Sequence, residues 1–191
     1  MKDVPRPLVE PLNQDDIQKI CEAIEKKDNW YYYFFMFAMH TGMRRNEILA
    51  LTWHDVDIWK NREITVPNPK SLRVPDPKAR RIPINEMLLG LLLDLRSPSR
   101  WVFQKTGKRM LGGTVTLFFR ELSKSLNIQV NSERIRWTYA VSVYNQTNPS
   151  TREDWRKVQK MLGHKDVSTT KSYFQRNMEN IPLQGRVVRD L

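Results

Sequence analysis

The sequence is poor in cysteine, glycine and long apolar runs, and each shortage excludes a class of protein. Cys21 is the single cysteine among 191 residues, which excludes a disulfide scaffold and a cysteine-ligated zinc finger and is typical of a reducing, intracellular setting. Seven glycines and eleven prolines exclude a collagen-like or low-complexity chain. The longest apolar run, residues 30–39, is ten residues long, too short to cross a bilayer.

Acidic residues are also in short supply, and the chain is strongly basic. Lys and Arg number 32 against 21 Asp and Glu, which gives a formal net charge of +11. Each cation that neutralises a phosphate releases a counterion, so the excess favours a polyanionic partner such as nucleic acid. An anionic membrane is the weaker interpretation, because the sequence shows no basic amphipathic anchor helix.

The hydrophobic periodicity predicts a mostly α fold with one small three-stranded antiparallel sheet near residues 56–84, an α+β arrangement. Residues 1–12 carry three prolines and are predicted to form a linker, residues 13–178 the domain, and residues 179–191 a C-terminal tail. Helices are predicted at about 13–27, 30–40, 44–51, 86–96, 112–126, 134–144, 153–162 and 167–174.

The segment Thr41-Gly42-Met43-Arg44-Arg45-Asn46-Glu47 combines a flexible backbone with two arginines at a helix start. Gly42 lets the chain bend, and Arg44 in the first helical turn can face a phosphate. Glu47 lies three residues further on, on the same face, where it can orient Arg44. Taken alone, the segment favours an ordinary helix start with an exposed ion pair.

A second basic segment, residues 70–81, holds five cations and one acid, Asp76. A lysine at a hairpin tip can enter a DNA groove or give a proton to a leaving oxygen, and a solvated loop is the alternative. The five cations of this segment are Lys70, Arg73, Lys78, Arg80 and Arg81.

Three further positions come from the C-terminal helices. Arg134 and Arg136 open an apolar helix, where they could supply a second phosphate clamp or belong to a surface helix. Gly163 is a predicted helix end that holds His164 in a turn. Tyr173 follows nine residues after His164. A capping histidine and a core tyrosine are the alternatives for the last two.

Together, in this order and spacing, these motifs resemble the catalytic domain of the tyrosine recombinase (phage integrase) family, over residues 12–174. The resemblance implies metal-independent transesterification of DNA through a 3′-phosphotyrosyl intermediate, with no nucleotide or other cofactor. It implies that Arg44 and Arg136 hold the scissile phosphate, Lys70 protonates the leaving 5′-oxygen, His164 contacts a phosphate oxygen and Tyr173 attacks. Glu47 would support Arg44. The remaining basic residues predicted to contact DNA are Arg45, Arg73, Lys78, Arg80, Arg81 and Arg134.

Two positions depart from the family pattern. Glu133 stands where the family usually has a histidine; its carboxylate could repel the phosphate or accept a proton. Trp137 stands where a histidine often follows the second arginine. The length of the basic segment also leaves Lys78 as a competitor of Lys70 for the catalytic lysine.

The resemblance further implies double-stranded DNA as the partner, a synaptic tetramer on that DNA, and a prokaryotic or viral origin. It makes residues 1–12 the linker to an N-terminal DNA-binding domain outside this chain. The tail after Tyr173 is expected to dock on a neighbouring subunit or to fold back in cis.

Two other functions compete with recombination. One is a catalytically weak DNA-binding or regulatory module on the same fold, which Glu133 suggests. The other is a metal-dependent nuclease using Asp55 and Asp57, which share a face of a predicted strand entry but do not complete a metal site by themselves.

Overall fold

The computed structural model describes residues 10–67 and 79–178. Within those ranges the chain forms eight α-helices and five short strands, and the predicted fold class is confirmed. The helices are α1 Gln14–Glu25, α2 Asn29–Thr41, α3 Arg45–Ala50, α4 Glu86–Asp94, α5 Gly112–Leu126, α6 Ser132–Thr147, α7 Arg152–Leu162 and α8 Val167–Met178. The strands are β1 Val56–Asp57, β2 Glu63–Thr65, β3 Arg81–Pro83, β4 Gln104–Lys105 and β5 Lys108–Arg109.

The helix boundaries follow local capping chemistry. Asn13 caps α1, because its side chain accepts a hydrogen bond from the Asp16 N–H at 2.8 Å. Asp28 caps α2 in the same way through the Trp30 N–H. Gly42 then ends α2 in the left-handed conformation, at φ +57°, where a glycine is favoured. The chain can therefore turn sharply just before Arg44.

The strands form two small sheets. The predicted sheet has the order β1-β2-β3 and is antiparallel throughout, with buried Ile64 opposite Ile82. The second sheet, a β4-β5 hairpin that turns at Thr106 and Gly107 with positive φ, was not predicted. Trp101, expected to begin a short strand or link, pairs with Thr52 in an isolated bridge.

The core consists of two hydrophobic clusters. The first cluster is built on α1–α5 and the three-stranded sheet and includes the fully buried rings of Phe34, Phe37 and Phe103. The second cluster is smaller, lies on α6, α7 and α8, and centres on Val158, Leu162 and Phe174. Helix α6 spans both, since Ile135 belongs to the first cluster and Trp137 to the second.

The ends of the described chain adjust the predicted boundaries. Leu12 is fully buried and its N–H donates to Thr138 Oγ1 at 2.9 Å, so the folded domain includes this last residue of the predicted linker. Helix α8 runs past Phe174 to Met178. Residues 1–9 and the tail at 179–191 lie outside the described residues. In the part of the chain that is described, no helix has the length and apolar character needed to cross a membrane.

Candidate active site

Arg44 and Glu47 form a pair at the start of α3. Arg44 Nη1 lies 3.0 Å from Glu47 Oε1, and Glu47 Oε2 accepts the backbone N–H of Arg44 at 2.8 Å. The side chain of Glu47 is 12% exposed, whereas that of Arg44 is 49% exposed. A buried carboxylate therefore fixes an arginine whose guanidinium still faces solvent, as the sequence predicted for this pair.

Arg136 is the buried counterpart of Arg44, with 4% of its surface exposed. Its guanidinium donates to two backbone carbonyls, those of Gly42 and Leu162. Burial, followed by the charges of Arg44 and Arg80, lowers its pKa to about 10. Arg136 consequently stays protonated at neutral pH, and the protein surrounds it with polarised oxygens rather than with a carboxylate of its own.

The close approach of α6 to the turn before α3 depends on Gly42. A Cβ on Gly42 would lie 2.1 Å from Cδ1 of Tyr139, because the Tyr139 ring rests on the glycine. This contact lets Arg136, one turn earlier on α6, reach the Gly42 carbonyl.

Arg80 occupies an interior position between α3 and α7, although the sequence suggested a DNA-facing residue. Its side chain is 11% exposed; Nη2 lies 3.4 Å from Glu47 Oε2, and Nη1 donates to the Met161 carbonyl at 2.9 Å. Burial lowers its pKa most, with Glu47 acting in the opposite direction. Arg80 is thus directed towards the protein itself.

His164 follows the glycine that ends α7, as predicted. Its Nδ1 lies 3.1 Å from Oγ1 of Thr170, a residue with no exposed surface. The Thr170 hydroxyl also donates to the Asp166 carbonyl, at 3.3 Å. While it does so it accepts a hydrogen bond from Nδ1–H; when it turns to donate to Nδ1, the imidazole carries its proton on Nε2 and can donate it to an anion. Burial, followed by the charge of Arg136, lowers the pKa of His164 to about 4. The ring is therefore neutral at pH 7.

Tyr173 lies on α8 inside a group of aromatic rings. Its ring centroid is 5.3 Å from Trp137 and 5.3 Å from His164, both edge to face. Burial raises the pKa of Tyr173 to about 12; Glu133 adds to this effect, while Arg136 and Arg44 oppose it. These influences show that Tyr173 lies within electrostatic range of both predicted phosphate-holding arginines.

Of the two positions that depart from the family pattern, Trp137 contacts the Tyr173 ring and Glu133 acts on it only through its charge. Glu133, in the first turn of α6, is exposed and acts on Tyr173 through its charge. Trp137 is buried, and its indole Nε1 has no acceptor among the described residues. Trp137 therefore orients the Tyr173 ring by packing, where a histidine would offer a polar atom.

The other predicted site residues differ in exposure and in their partners. Arg45 is half-buried and bonds to Thr116 beside Gly112. Arg81 is exposed and ion-paired with Glu63 at 2.8 Å. Arg134 is internal: it donates to the carbonyls of Glu10 and Gln129 and pairs with Asp16. Lys70, Arg73 and Lys78 lie outside the described residues.

Asp55 and Asp57, the acids of the nuclease alternative, cap turns. Asp55 accepts from the backbone and hydroxyl of Thr52, and Asp57 accepts from the N–H groups of Lys60 and Asn61. Among the residues that the structure describes, no group of three His, Cys, Asp or Glu side chains could hold a metal ion.

The sequence interpretation missed the roles of Thr170 and Arg80. Thr170 lies within the Thr-Thr segment quoted for Tyr173, but only the turn after α7 reveals that its hydroxyl meets the His164 ring. Arg80 was visible only as one cation among five. In β3, Arg81 is exposed and Ile82 is buried, so the alternation of the strand places Arg80 on the buried side. Its hydrogen bond to α7 joins residues 81 positions apart, and local sequence patterns do not predict such a contact.

Comparison with known proteins places this geometry in a family. Tyrosine recombinase XerA of Saccharolobus solfataricus is 28% identical over 172 residues, covering 89% of this chain and 53% of that protein. XerA of Pyrococcus furiosus is 25% identical over 182 residues, covering 89% and 58%. The chain therefore spans a little more than half the length of these relatives.

Solved structures share the fold. A crystal structure of XerA recombinase superposes with a TM-score of 0.67 at 26% identity, covering 88% of this chain and 61% of that one. The Tn1549 transposon integrase, solved with circular intermediate DNA, gives a TM-score of 0.72 at 20% identity, covering 91% and 62%. Residues 10–180 match the sequence model of the phage integrase family, and the chain belongs to that family.

Proposed function

We propose that this chain is the catalytic domain of a site-specific DNA recombinase that cleaves and rejoins strands through Tyr173. The observation that carries the proposal is geometric: the His164 and Tyr173 rings lie 5.3 Å apart, and Arg136 bonds both to the turn before Arg44 and to the end of α7 just before His164. Family membership and the XerA relatives support the same reaction.

In the proposed reaction, Tyr173 Oη attacks the scissile phosphorus while the bond from phosphorus to the 5′-oxygen breaks. The phenol gives its proton to water, and the leaving oxygen gains one from Lys70, with Lys78 as the competing donor. The product is a 3′-phosphotyrosyl bond, which a 5′-hydroxyl of another strand can reverse.

The charges of the site suit a phosphate in transition. Arg44, Arg80 and Arg136 face a single carboxylate, Glu47, so the site has an excess of positive charge before DNA arrives. Arg44 and Arg136 would share the added charge of the pentacoordinate phosphorus, and His164 would donate from Nε2. These residues supply the stabilisation that a metal ion provides in other phosphoryl-transfer enzymes, so we propose a reaction without metal or nucleotide.

The DNA-facing surface is proposed to include Arg45 and Arg81, together with Arg73 and Lys78 from the basic segment. The structure adds a region that the sequence interpretation passed over, residues 95–120, which hold six Lys or Arg and no acid. Arg100 and Arg109 lie over the Trp101 ring at 5.2 and 5.6 Å, which orders two cations of that region. Arg134, which is internally bonded, is left out of the proposed DNA contacts.

Covalent capture of DNA tests the proposed reaction. A pool of nicked duplexes with randomised sequence is incubated with the chain in EDTA, and complexes that survive SDS are recovered. We expect adducts from the wild type and none from Tyr173→Phe, which keeps the ring contacts with Trp137 and His164. Tyr173→Phe should still retain DNA in a filter-binding assay.

The alternative, a DNA-binding module with little catalytic power, makes the opposite prediction. Both proteins would then retain DNA and neither would form an adduct. Adducts from Tyr173→Phe would contradict the assignment of the nucleophile.

We also propose that residues 1–12 continue into a separate DNA-binding domain, and that the whole protein acts inside the cell as a tetramer on DNA. A solved relative by fold is a λ integrase tetramer bound to a Holliday junction. The tail at 179–191, which contains five apolar side chains, is proposed to dock on the next subunit.

Deleting residues 179–191 tests the docking of the tail. We expect smaller complexes on DNA in analytical ultracentrifugation, with adduct formation kept. Faster adduct formation would instead indicate that the tail inhibits its own Tyr173 helix, and no change in either measurement would contradict both roles.

A further inference from the structure

The catalytic groups stand on two different parts of the core. Arg44 and Glu47 follow α2, whose rings belong to the first cluster, whereas His164 and Tyr173 belong to the α7–α8 side and the second cluster. The reaction needs these groups in register. The contacts that cross between the clusters therefore decide how well the nucleophile meets the phosphate-binding arginines.

The C-terminal end of α7 supplies the acceptors for two such contacts. The last carbonyls of a helix have no partner within the helix. In α7 the carbonyl of Met161 accepts from Arg80, and the next carbonyl, that of Leu162, accepts from Arg136. Positive groups are favoured at a helix C-terminus, so two guanidiniums from distant parts of the chain stabilise one helix end.

Each of these guanidiniums also bonds to the first side. Arg136 donates to the Gly42 carbonyl, and Arg80 pairs with Glu47 Oε2. We call these four contacts, with the packing of Tyr139 on Gly42, the seam. Arg80 and Arg136 thus each connect the end of α7 to the region of Arg44. Arg80 does so through Glu47, the carboxylate that fixes Arg44, and Arg136 through the Gly42 turn that precedes Arg44.

Gly163 permits the approach of Arg80. A Cβ at this position would lie 2.8 Å from Arg80 Nη1, and the backbone is left-handed at φ +64°. The same glycine therefore ends α7, directs the chain to His164 and leaves room for the bridging guanidinium.

From these contacts we infer that Arg80 is a positioning residue, which holds the Arg44–Glu47 pair at a fixed distance from His164 and Tyr173. The inference rests on the proposed function. With 11% of its side chain exposed and both terminal nitrogens bonded within the protein, Arg80 acts through Glu47 and α7 rather than by touching DNA.

The test compares Arg80→Met and Arg80→Lys with the wild type in single-turnover adduct formation on a captured substrate. Misplacing reacting groups by about 1 Å costs on the order of 100-fold in rate, so we expect Arg80→Met to lose about that factor at saturating DNA, with an almost unchanged dissociation constant. Lysine keeps the charge but cannot reach both acceptors in the same geometry, and we expect an intermediate loss. A third variant, Arg80→Ala, leaves room for the missing guanidinium, so added methylguanidinium should partly restore its rate and leave that of Arg80→Lys unaffected.

Arg62→Met is the matched control, because Arg62 lies in the same sheet region and forms an ion pair with Glu86 at 2.8 Å but stands away from the seam. We expect it to match the wild type in rate. Thermal unfolding of every variant gives the folded fraction by which its rate is divided.

Three results would overturn the inference. Arg80→Met could react at the wild-type rate, or lose DNA affinity while keeping its rate at saturation, or Arg80→Ala could show no response to methylguanidinium while Arg80→Lys retains full activity. A wild type that forms no adduct with any DNA overturns the proposed function, and the assignment of Arg80 with it.

Discussion

The two hydrophobic clusters differ in size and in the part of the chemistry that stands on each. The first cluster draws on six helices and a sheet, and its central rings, Phe34, Phe37 and Phe103, are fully buried. The second draws on three helices, and several of its rings, among them Tyr144, Trp155 and Tyr173, are only partly buried. Tyr173, the proposed nucleophile, thus packs on the smaller cluster, and under our inference its alignment with the first cluster depends on the seam.

The largest effect on the contact between the two clusters is expected from Gly42→Ala. The new methyl group would collide with the Tyr139 ring and the residue would keep a left-handed backbone, so we expect a loss of about 3 kcal/mol in the free energy of unfolding. Urea denaturation measures this loss, and adduct formation should fall with it because Arg136 loses its carbonyl partner.

Gly90→Ala is the control for that substitution. Gly90 lies in α4, and a Cβ there meets nothing within 4 Å. Alanine is the better helix former by roughly 1 kcal/mol, so this variant should be as stable as the wild type or more so. If Gly42→Ala behaves like Gly90→Ala, the clusters do not need the close approach described for them.

A smaller effect within the second cluster is expected from Thr170→Val. The change keeps the shape of the side chain but removes the hydroxyl that faces His164 Nδ1. The proton of the neutral ring is then no longer held on Nε2, and we expect adduct formation at pH 7 to fall about tenfold, the value of one lost hydrogen bond of ~1.4 kcal/mol. Nitrogen chemical shifts of the ring report the tautomer directly.

Thr169→Val serves as the comparison, because it also removes a threonine hydroxyl, but one that bonds to Asp166, as does the Thr169 backbone N–H, rather than to His164. His40 and His54, the other two histidines of the chain, provide internal references in the spectra. An unchanged His164 tautomer in Thr170→Val would show that the hydroxyl does not select it.

The smallest change in the rate of adduct formation is expected from Glu133→His. Glu133 raises the pKa of Tyr173, so its removal moves that pKa downward and makes the phenol a better nucleophile at neutral pH. We expect the rate to rise about threefold, by the same factor from pH 7 to pH 9, because a phenol whose pKa is about 12 is protonated throughout that range.

Glu133→Gln separates the charge from the imidazole. It should give part of the gain, since it removes the carboxylate without adding a proton-accepting ring. A sharp fall in rate for both variants would show that the Glu133 carboxylate accepts the tyrosine proton.

Most of the fold was predictable because it depends on local signals. Asn13, Asp28, Gly42 and Gly163 mark helix ends by the same chemistry in sequence and in structure. The β4-β5 hairpin was missed because its strands are two residues long and have no alternating apolar pattern. Its Thr106-Gly107 turn was the only available signal.

The candidate site was predictable to the extent that its residues are spaced along helices. The Arg44–Glu47 pair needs only the three-residue separation, and it appears as expected. The internal positions of Arg80 and Arg134 could not be predicted without the tertiary fold, because a charged side chain is expected to be exposed unless its buried acceptors are known. Backbone carbonyls, which receive Arg136, Arg80 and Arg134, leave no trace in the sequence.

The helix end that receives Arg80 and Arg136 also limits how this chain can change in length. Inserting one residue within α7 would turn its last carbonyls by about 100° and advance them by about 1.5 Å, away from both guanidiniums at once. Substitutions on the exposed face of α7 leave those oxygens in place. Natural variation in this helix should therefore appear as exchanged side chains at a constant number of residues, with insertions and deletions confined to the loop before Thr151.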